Sequence, residues 1–177
     1  MLTNGRYRKG TMSVISLEEY LRTLYRPDRE FRDGVLMERN VGLKSHSAMQ
    51  CAVACYIGNR RKKWRITVYL SLRIQLREGW IAIPDIAVYD LPEPDGEIPD
   101  RPPLLWIEVL SPEDRMIDFW SKANDVIACG VPNVWMIDPY SLESQLWTPA
   151  GVTRITDGTL RLPDSEIVIP LAAALEE

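Results

Sequence analysis

Two acids stand inside runs that otherwise read as apolar strands. Glu108 lies within Leu-Leu-Trp-Ile-Glu-Val-Leu at 104–110, and Asp85 within Ile-Ala-Ile-Pro-Asp-Ile-Ala-Val-Tyr at 81–89. A carboxylate in such surroundings is costly unless it is paired or holds a cation. For either acid alone, a salt bridge to a neighbouring arginine accounts for the placement equally well. Two acids on neighbouring strands would repel each other unless a divalent cation lay between them. Mg²⁺ or Mn²⁺ takes such oxygen ligands and keeps several waters. Lys122 follows in a helix, three residues beyond Phe119 and four before Val126, on the flank of its apolar face. It could reach back over the sheet, although an ordinary solvated helix lysine also fits that position.

The elements that must position these groups can be read along the chain. Ser16, with Glu19 three residues on, is a capping-box signature. It heads a helix with Leu17, Tyr20, Leu21 and Leu24 as its stripe, ended by Pro27. Asp33-Gly34 marks a tight hairpin between two short strands. Residues 45–59 read as a second helix burying Met49, Ala52, Val53 and Tyr56, followed by the basic run Arg60–Arg65. Residues 66–79 alternate as one half-exposed strand, with Leu70, Leu72, Ile74 and Leu76 on the apolar side. Residues 80–90 form another, interrupted by Pro84, which suggests an edge or a bulge.

The proline-rich stretch 91–103 is a loop, and the almost wholly apolar run 104–110 predicts a central strand. Ser111, Pro112, Glu113 and Asp114 form a helix start, and Gly130 and Pro132 a stop. Strands at 133–138 and about 145–149 follow, then a hairpin around Asp157-Gly158. This order predicts a mixed α/β or α+β sheet. A polar arm over 1–15 and a single domain over 16–177 are the expected organisation.

Composition sets the remaining bounds. At 177 residues, about 70% of the unfolded chain's surface can be buried, enough for a core without staples. With 21 basic and 25 acidic residues the net charge is −4, so no overall field draws nucleic acid. A nucleic-acid function must rest on local patches and metal ions. Three cysteines without a CxxC pair suit a reduced, cytoplasmic interior. The single histidine, His46, argues against a Ser-His-Asp hydrolase or a multi-histidine zinc site. No apolar run spans a bilayer, and the basic N-terminus lacks the features of a signal peptide.

The order Pro-Asp, then Glu, then lysine resembles the PD-(D/E)xK nucleases, the restriction-endonuclease-like superfamily. In detail the chain is similar to the Uma-two family of endonuclease-like proteins. The matching stretches are Ile83–Asp90 and Leu104–Pro139, the latter with Glu-Val-Leu-Ser-Pro, Asp118, Lys122, Gly130-Val131-Pro132 and Trp135-x-x-Asp138-Pro139. Arg29–Arg39 and His46 match more weakly.

The resemblance implies a mixed central sheet flanked by helices, with extra antiparallel hairpins. By position, Asp85 matches the superfamily's metal-binding aspartate and Glu108 its second acid. The superfamily lysine stands two residues after that acid, where this chain has Leu110, and Lys122 matches the helical lysine of the Uma-two family. Glu30 matches an early acid that can join the site, with Glu38 a competitor. The activity implied is Mg²⁺- or Mn²⁺-dependent hydrolysis of phosphodiester bonds in DNA. Asp85, Glu108 and the Val109 carbonyl would hold the ion, and Lys122 would orient the attacking water or stabilise developing charge.

Other readings stay open. The chain could be a non-catalytic nuclease-fold module that binds nucleic acid or protein, or a hydrolase of other phosphoesters. Arg60, Arg61, Lys62 and Lys63 could meet phosphates, or form a solvated helix end that complements the helix dipole. His46 suits a capping or structural role. A homodimer is expected, since restriction-like folds often pair two sites.

Overall fold

The computed structural model of the chain describes residues 14–39, 42–111 and 116–177. The N-terminal arm, apart from residues 14–15, and the helix start expected at Pro112–Asp114 lie outside the described residues. Ser16 caps α1 (Leu17–Arg22), its hydroxyl accepting from the Glu19 N–H at 3.1 Å. The helix stops well before Pro27 because Thr23 turns extended and its hydroxyl donates back to the Glu19 carbonyl at 2.7 Å. So short a helix offers one turn to the core. Tyr20 is fully buried, while Leu21 and Leu24 of the expected stripe are exposed.

Strands β1 (Arg29–Arg32) and β2 (Val35–Glu38) form the expected hairpin. Asp33 and Gly34 have φ of +51° and +86°, the pair of positive values that an Asp-Gly turn supplies at little cost. Helix α2 (Lys44–Asn59) buries His46, Met49, Val53, Tyr56 and Ile57, and a single turn, α3 (Arg61–Trp64), follows it.

The two strands expected over 66–79 and 80–90 are four. The first run divides into β3 (Ile66–Leu70) and β4 (Ile74–Arg77), with Ser71 at φ +49° between them. The second divides into β5 (Trp80–Ala82) and β6 (Ile86–Asp90) around Pro84, which has no N–H to give to a ladder. β4 pairs with β5 and β3 with β6, so the whole is one long hairpin bent at its middle. Its two halves enter different sheets. The single alternation expected through Leu70 and Ile74 therefore breaks, leaving Leu70 exposed and Ile74 buried. Asp85 sits at this corner.

The chain continues through β7 (Leu105–Val109), α4 (Met116–Ala128) and β8 (Val134–Ile137), with β8 parallel to β7. Gly130, at φ +96°, ends α4 in a Schellman arrangement. Its N–H donates to the Ile127 carbonyl at 2.9 Å, and that of Val131 to Val126 at 3.4 Å. Strands β9 (Ser144–Thr148) and β10 (Gly151–Ile155) pair with each other. The hairpin expected around Asp157-Gly158 does not form: β11 (Thr159–Arg161) pairs instead with β12 (Val168–Pro170), ahead of α5 (Leu171–Glu176).

The result is a mixed sheet of six strands in the order β10-β9-β8-β7-β6-β3, a second sheet in the order β2-β1-β5-β4, and the small β11-β12 ribbon. The larger sheet is covered on both faces. Ile86, Val88, Leu105, Ile107 and Val109 face α2, α5 and the ribbon. Ala87, Tyr89 and Trp106 face α4 and the β4-β5 end of the second sheet. Strand β7 is central and buried on both faces, as its apolar sequence requires.

Candidate active site

Glu108 belongs by alternation to the α4 face of β7, two residues after Trp106. The Trp106 indole N–H donates to Glu108 Oε1 at 2.9 Å. Lys122 projects from α4 onto the same oxygen at 2.8 Å. Its Nζ also lies 2.8 Å from Glu30 Oε1, which accepts the Ile83 N–H at 3.1 Å. Glu30 is 3% exposed on β1. Its competitor Glu38 is paired with Arg29 on the surface, so the hairpin brings Glu30, not Glu38, to Lys122.

Asp85 stands one register step beyond the Ile86↔Ile107 pair, opposite Glu108. Its carboxylate is held from the other direction. Oδ1 accepts from Arg39 Nη2 at 3.0 Å, while Oδ2 lies 3.1 Å from His46 Nε2 and accepts the Val109 N–H at 2.9 Å. Val109 thus meets Asp85 through its N–H. Gln50, one helical turn after His46 on α2, donates to the Asp85 carbonyl at 2.9 Å and so fixes the corner itself. Gly42 approaches His46 so closely that a Cβ there would stand 2.3 Å from Nδ1.

The electrostatics follow from this division. Burial pushes the Glu108 carboxyl up, Lys122 pulls it down, and the charges of Asp85 and Glu30 raise it again, to about 6 in all. Burial also works against the Asp85 anion, but the His46 and Val109 hydrogen bonds and the Arg39 charge prevail and hold it below the usual aspartate value. Burial disfavours the Lys122 cation, yet Glu108 and Glu30 outweigh this and keep it charged far above neutrality. Glu108 therefore feels the charges of Asp85 and Glu30, although its own contacts are with Lys122 and Trp106 while Asp85 is held by Arg39, His46 and the Val109 N–H.

These are hard oxygen donors of the kind Mg²⁺ and Mn²⁺ take, and a cation would offset both the burial of the Glu108 anion, the main cause of its raised pKa, and the smaller repulsion from Asp85 and Glu30. Among the described residues, no group of three or more His, Cys, Asp or Glu side chains is arranged as a ready metal site. The donor chemistry thus fits an ion held by two carboxylates with water completing its shell, and not one caged by protein.

Other sequence-derived candidates lie elsewhere. Arg60 is not part of an open basic patch. It is bonded to Glu177 at 2.6 Å and packs over the Tyr56 ring at 3.4 Å. Arg61, Lys62 and Lys63 are exposed on α3. They lie about 20 Å along α2 from His46, at 1.5 Å per residue. Arg39 and Gln50 carried no signal in the sequence, since each is an ordinary polar residue in a polar stretch. His46 does more than cap a helix: it bonds the corner acid.

A mixed sheet with one acid on its central strand, another at the corner that leads into the neighbouring strand, and a lysine over the first is a restriction-endonuclease-like architecture. Residues 17–174 match the family described as "Uma2: Putative restriction endonuclease", and the chain belongs to that family. Among solved structures it is similar to one described as a putative nuclease belonging to DUF820 from Anabaena variabilis ATCC 29413. The TM-score is 0.77 at 22% identity, covering 92% of this chain and 98% of that one, which is a likeness of fold. No curated protein matches the chain.

Proposed function

We propose that the chain is a divalent-metal-dependent endonuclease that hydrolyses phosphodiester bonds in DNA. The observation that carries this reading is the position of Lys122, whose ammonium lies 2.8 Å from both Glu108 and Glu30, with Asp85 opposite Glu108 in the strand register. In this reading Asp85 and Glu108 hold Mg²⁺ or Mn²⁺, with the Val109 carbonyl as a further ligand. The ion would polarise the scissile phosphate and lower the pKa of the attacking water.

The chain's own groups do the rest. Lys122, kept cationic by two carboxylates, faces the charge that develops on the phosphate oxygens. Glu30, fixed by the Ile83 N–H, holds Lys122 in place. Trp106 orients the Glu108 carboxylate. DNA is the expected partner, a homodimer the expected assembly and the cytoplasm the expected location. Among the described residues, no helix is long and apolar enough to cross a membrane.

The test is nicking of a supercoiled plasmid in Mn²⁺ by the wild type and by Glu108→Ala. Nicking that disappears in the variant supports the reading. Hydrolysis of mononucleotides or small phosphoesters, with the plasmid intact, would replace DNA with another phosphoester substrate. A non-catalytic binding module is the second reading. It is favoured by the completeness with which Arg39, His46 and the Val109 N–H already occupy Asp85. Plasmid retardation without nicking in any divalent ion would select it.

A further inference from the structure

Asp85 Oδ2 is taken by His46 and the Val109 N–H, both anchored in the fold: His46 in the first turn of α2, Val109 in the central strand. Among the described residues, the group that bonds Oδ1 is Arg39. Arg39 differs from the other partners in its attachment. It lies just past the end of β2, outside any regular element, on a long side chain that is 20% exposed while the Asp85 side chain is 9% exposed. An ion that uses Oδ1 therefore meets the positive charge of this guanidinium there and competes with it for the oxygen, and the guanidinium has the reach to leave.

Where it would go is decided by charge. Three carboxylates, Glu30, Asp85 and Glu108, face two permanent cations, Lys122 and Arg39, and Lys122 is already shared between two of the acids. Once a divalent ion neutralises Asp85 and Glu108, Arg39 has lost its anion. The new anion that enters the site with a nucleic-acid substrate is the phosphodiester. A guanidinium presents a planar fork of donors that matches two phosphate oxygens, which a lysine ammonium cannot reproduce.

We propose that Arg39 is a substrate-phosphate ligand of this site, parked on Asp85 Oδ1 until a divalent ion and the nucleic acid arrive. The proposal rests on the nuclease reading above and adds a residue that the family resemblance does not supply. It makes Arg39 both a competitor for the ion and a contributor to substrate binding, two effects of opposite sign.

The experiment uses the full chain, with Arg39→Gln and Arg39→Lys beside the wild type. Mn²⁺ affinity is measured by titration calorimetry without DNA. Binding of a fluorescein-labelled duplex is measured by anisotropy in Mn²⁺, and plasmid nicking is followed separately. Arg39→Gln is expected to bind Mn²⁺ more tightly, because its competitor is gone. It should bind the duplex about tenfold or more weakly, the worth of a hydrogen bond to a charged group. Arg39→Lys should stay near the wild type for Mn²⁺ but recover little of the duplex affinity, since it lacks the fork.

Weaker Mn²⁺ binding together with weaker duplex binding would make Arg39 a structural residue and overturn the proposal. Tighter Mn²⁺ binding with unchanged duplex affinity would make it a mere counter-ion and overturn it equally. If the wild type binds neither Mn²⁺ nor the duplex, the nuclease reading falls and this proposal with it. If the wild type binds both and only Arg39→Gln fails to show opposite shifts, the nuclease reading survives alone.

Discussion

The ammonium of Lys122 lies 2.8 Å from Glu30 Oε1, a residue 92 positions earlier in the chain. The same nitrogen reaches Glu108 on the central strand, so one side chain ties the second sheet, the main sheet and α4 together. Glu108 is held at about 6 despite this cation, because burial and the neighbouring acids press the other way.

Replacing Lys122 by methionine keeps most of the unbranched side chain, one atom shorter, and removes its charge. Glu108 then loses the influence that lowers its pKa. An acid raised in the folded state holds its proton more tightly there than in the unfolded chain, so its contribution to stability falls as pH rises through the interval between the two values. In the wild type that interval runs from the ordinary 4.5 to about 6. In Lys122→Met it extends upward. The variant is expected to lose up to about 3–5 kcal/mol at pH 8, the cost of a broken buried pair, and distinctly less at pH 5, where Glu108 can stay protonated. Urea unfolding at the two pH values measures the difference. An equal loss at both would show that Lys122 does not govern Glu108.

Asp85 and Glu108 were legible because each put a charge in an apolar strand, whereas Lys122 and Glu30 broke no local rule and stood out through the family resemblance. The Ser16 cap, the Asp33-Gly34 turn and the Gly130 stop were legible because their signals span a few residues. The corner at Asp85 was not. Period-2 alternation runs straight through residues 66–77, and nothing local says that β3 and β4 belong to different sheets. That division follows the pairing of their partners, β5 with β1 and β6 with β7. The partners of Arg60 and β11 escaped for a similar reason: Glu177 is 117 residues from Arg60, and β11 pairs with the later β12 while β10 pairs back onto β9.

Gly42→Ala tests the support behind the corner. The added Cβ would meet His46 Nδ1 at 2.3 Å, so the imidazole or the loop must move. Overpacking of this kind costs about 1–3 kcal/mol. Moving His46 also removes the hydrogen bond that does most to hold Asp85 below the usual value. An acid so lowered stabilises the fold above its unfolded pKa, and that stability is lost as pH falls through the folded value. The gap between wild type and variant should therefore be widest near neutrality and shrink towards pH 3. Thermal melts across that range provide the measurement, and a constant gap would separate Gly42 from Asp85.

The exposed basic turn makes a prediction about DNA and salt. Every phosphate that the protein no longer neutralises flattens the plot of log K against log salt by about 0.9. If Arg61, Lys62 and Lys63 all meet phosphates, changing the three to glutamine should flatten the slope by about 2–3. Arg60→Gln should instead lower the melting temperature, since Arg60 is bound to Glu177 and Tyr56. An unchanged slope in the triple variant would confine DNA binding to the site around Lys122.

Metal binding can be read without any cleavage. An ion that binds the folded chain but not the unfolded one adds about 2.7 kcal/mol at a hundred times its dissociation constant. For a chain of this size that corresponds to a rise in melting temperature of about 5–10 °C. Saturating Mn²⁺ is expected to produce such a rise in the wild type, and EDTA to reverse it. Glu108→Gln removes one anionic oxygen donor while leaving an acceptor for the Trp106 N–H, so it should fold and lose most of the rise. Asp85→Asn should lose it as well, from a lower starting temperature, because Arg39 and His46 are left without their anion. A Mn²⁺-induced rise that persists in both variants would place the ion away from the Asp85 corner. No rise in the wild type would leave Glu108 and Asp85 as partners of Lys122 and Arg39 alone.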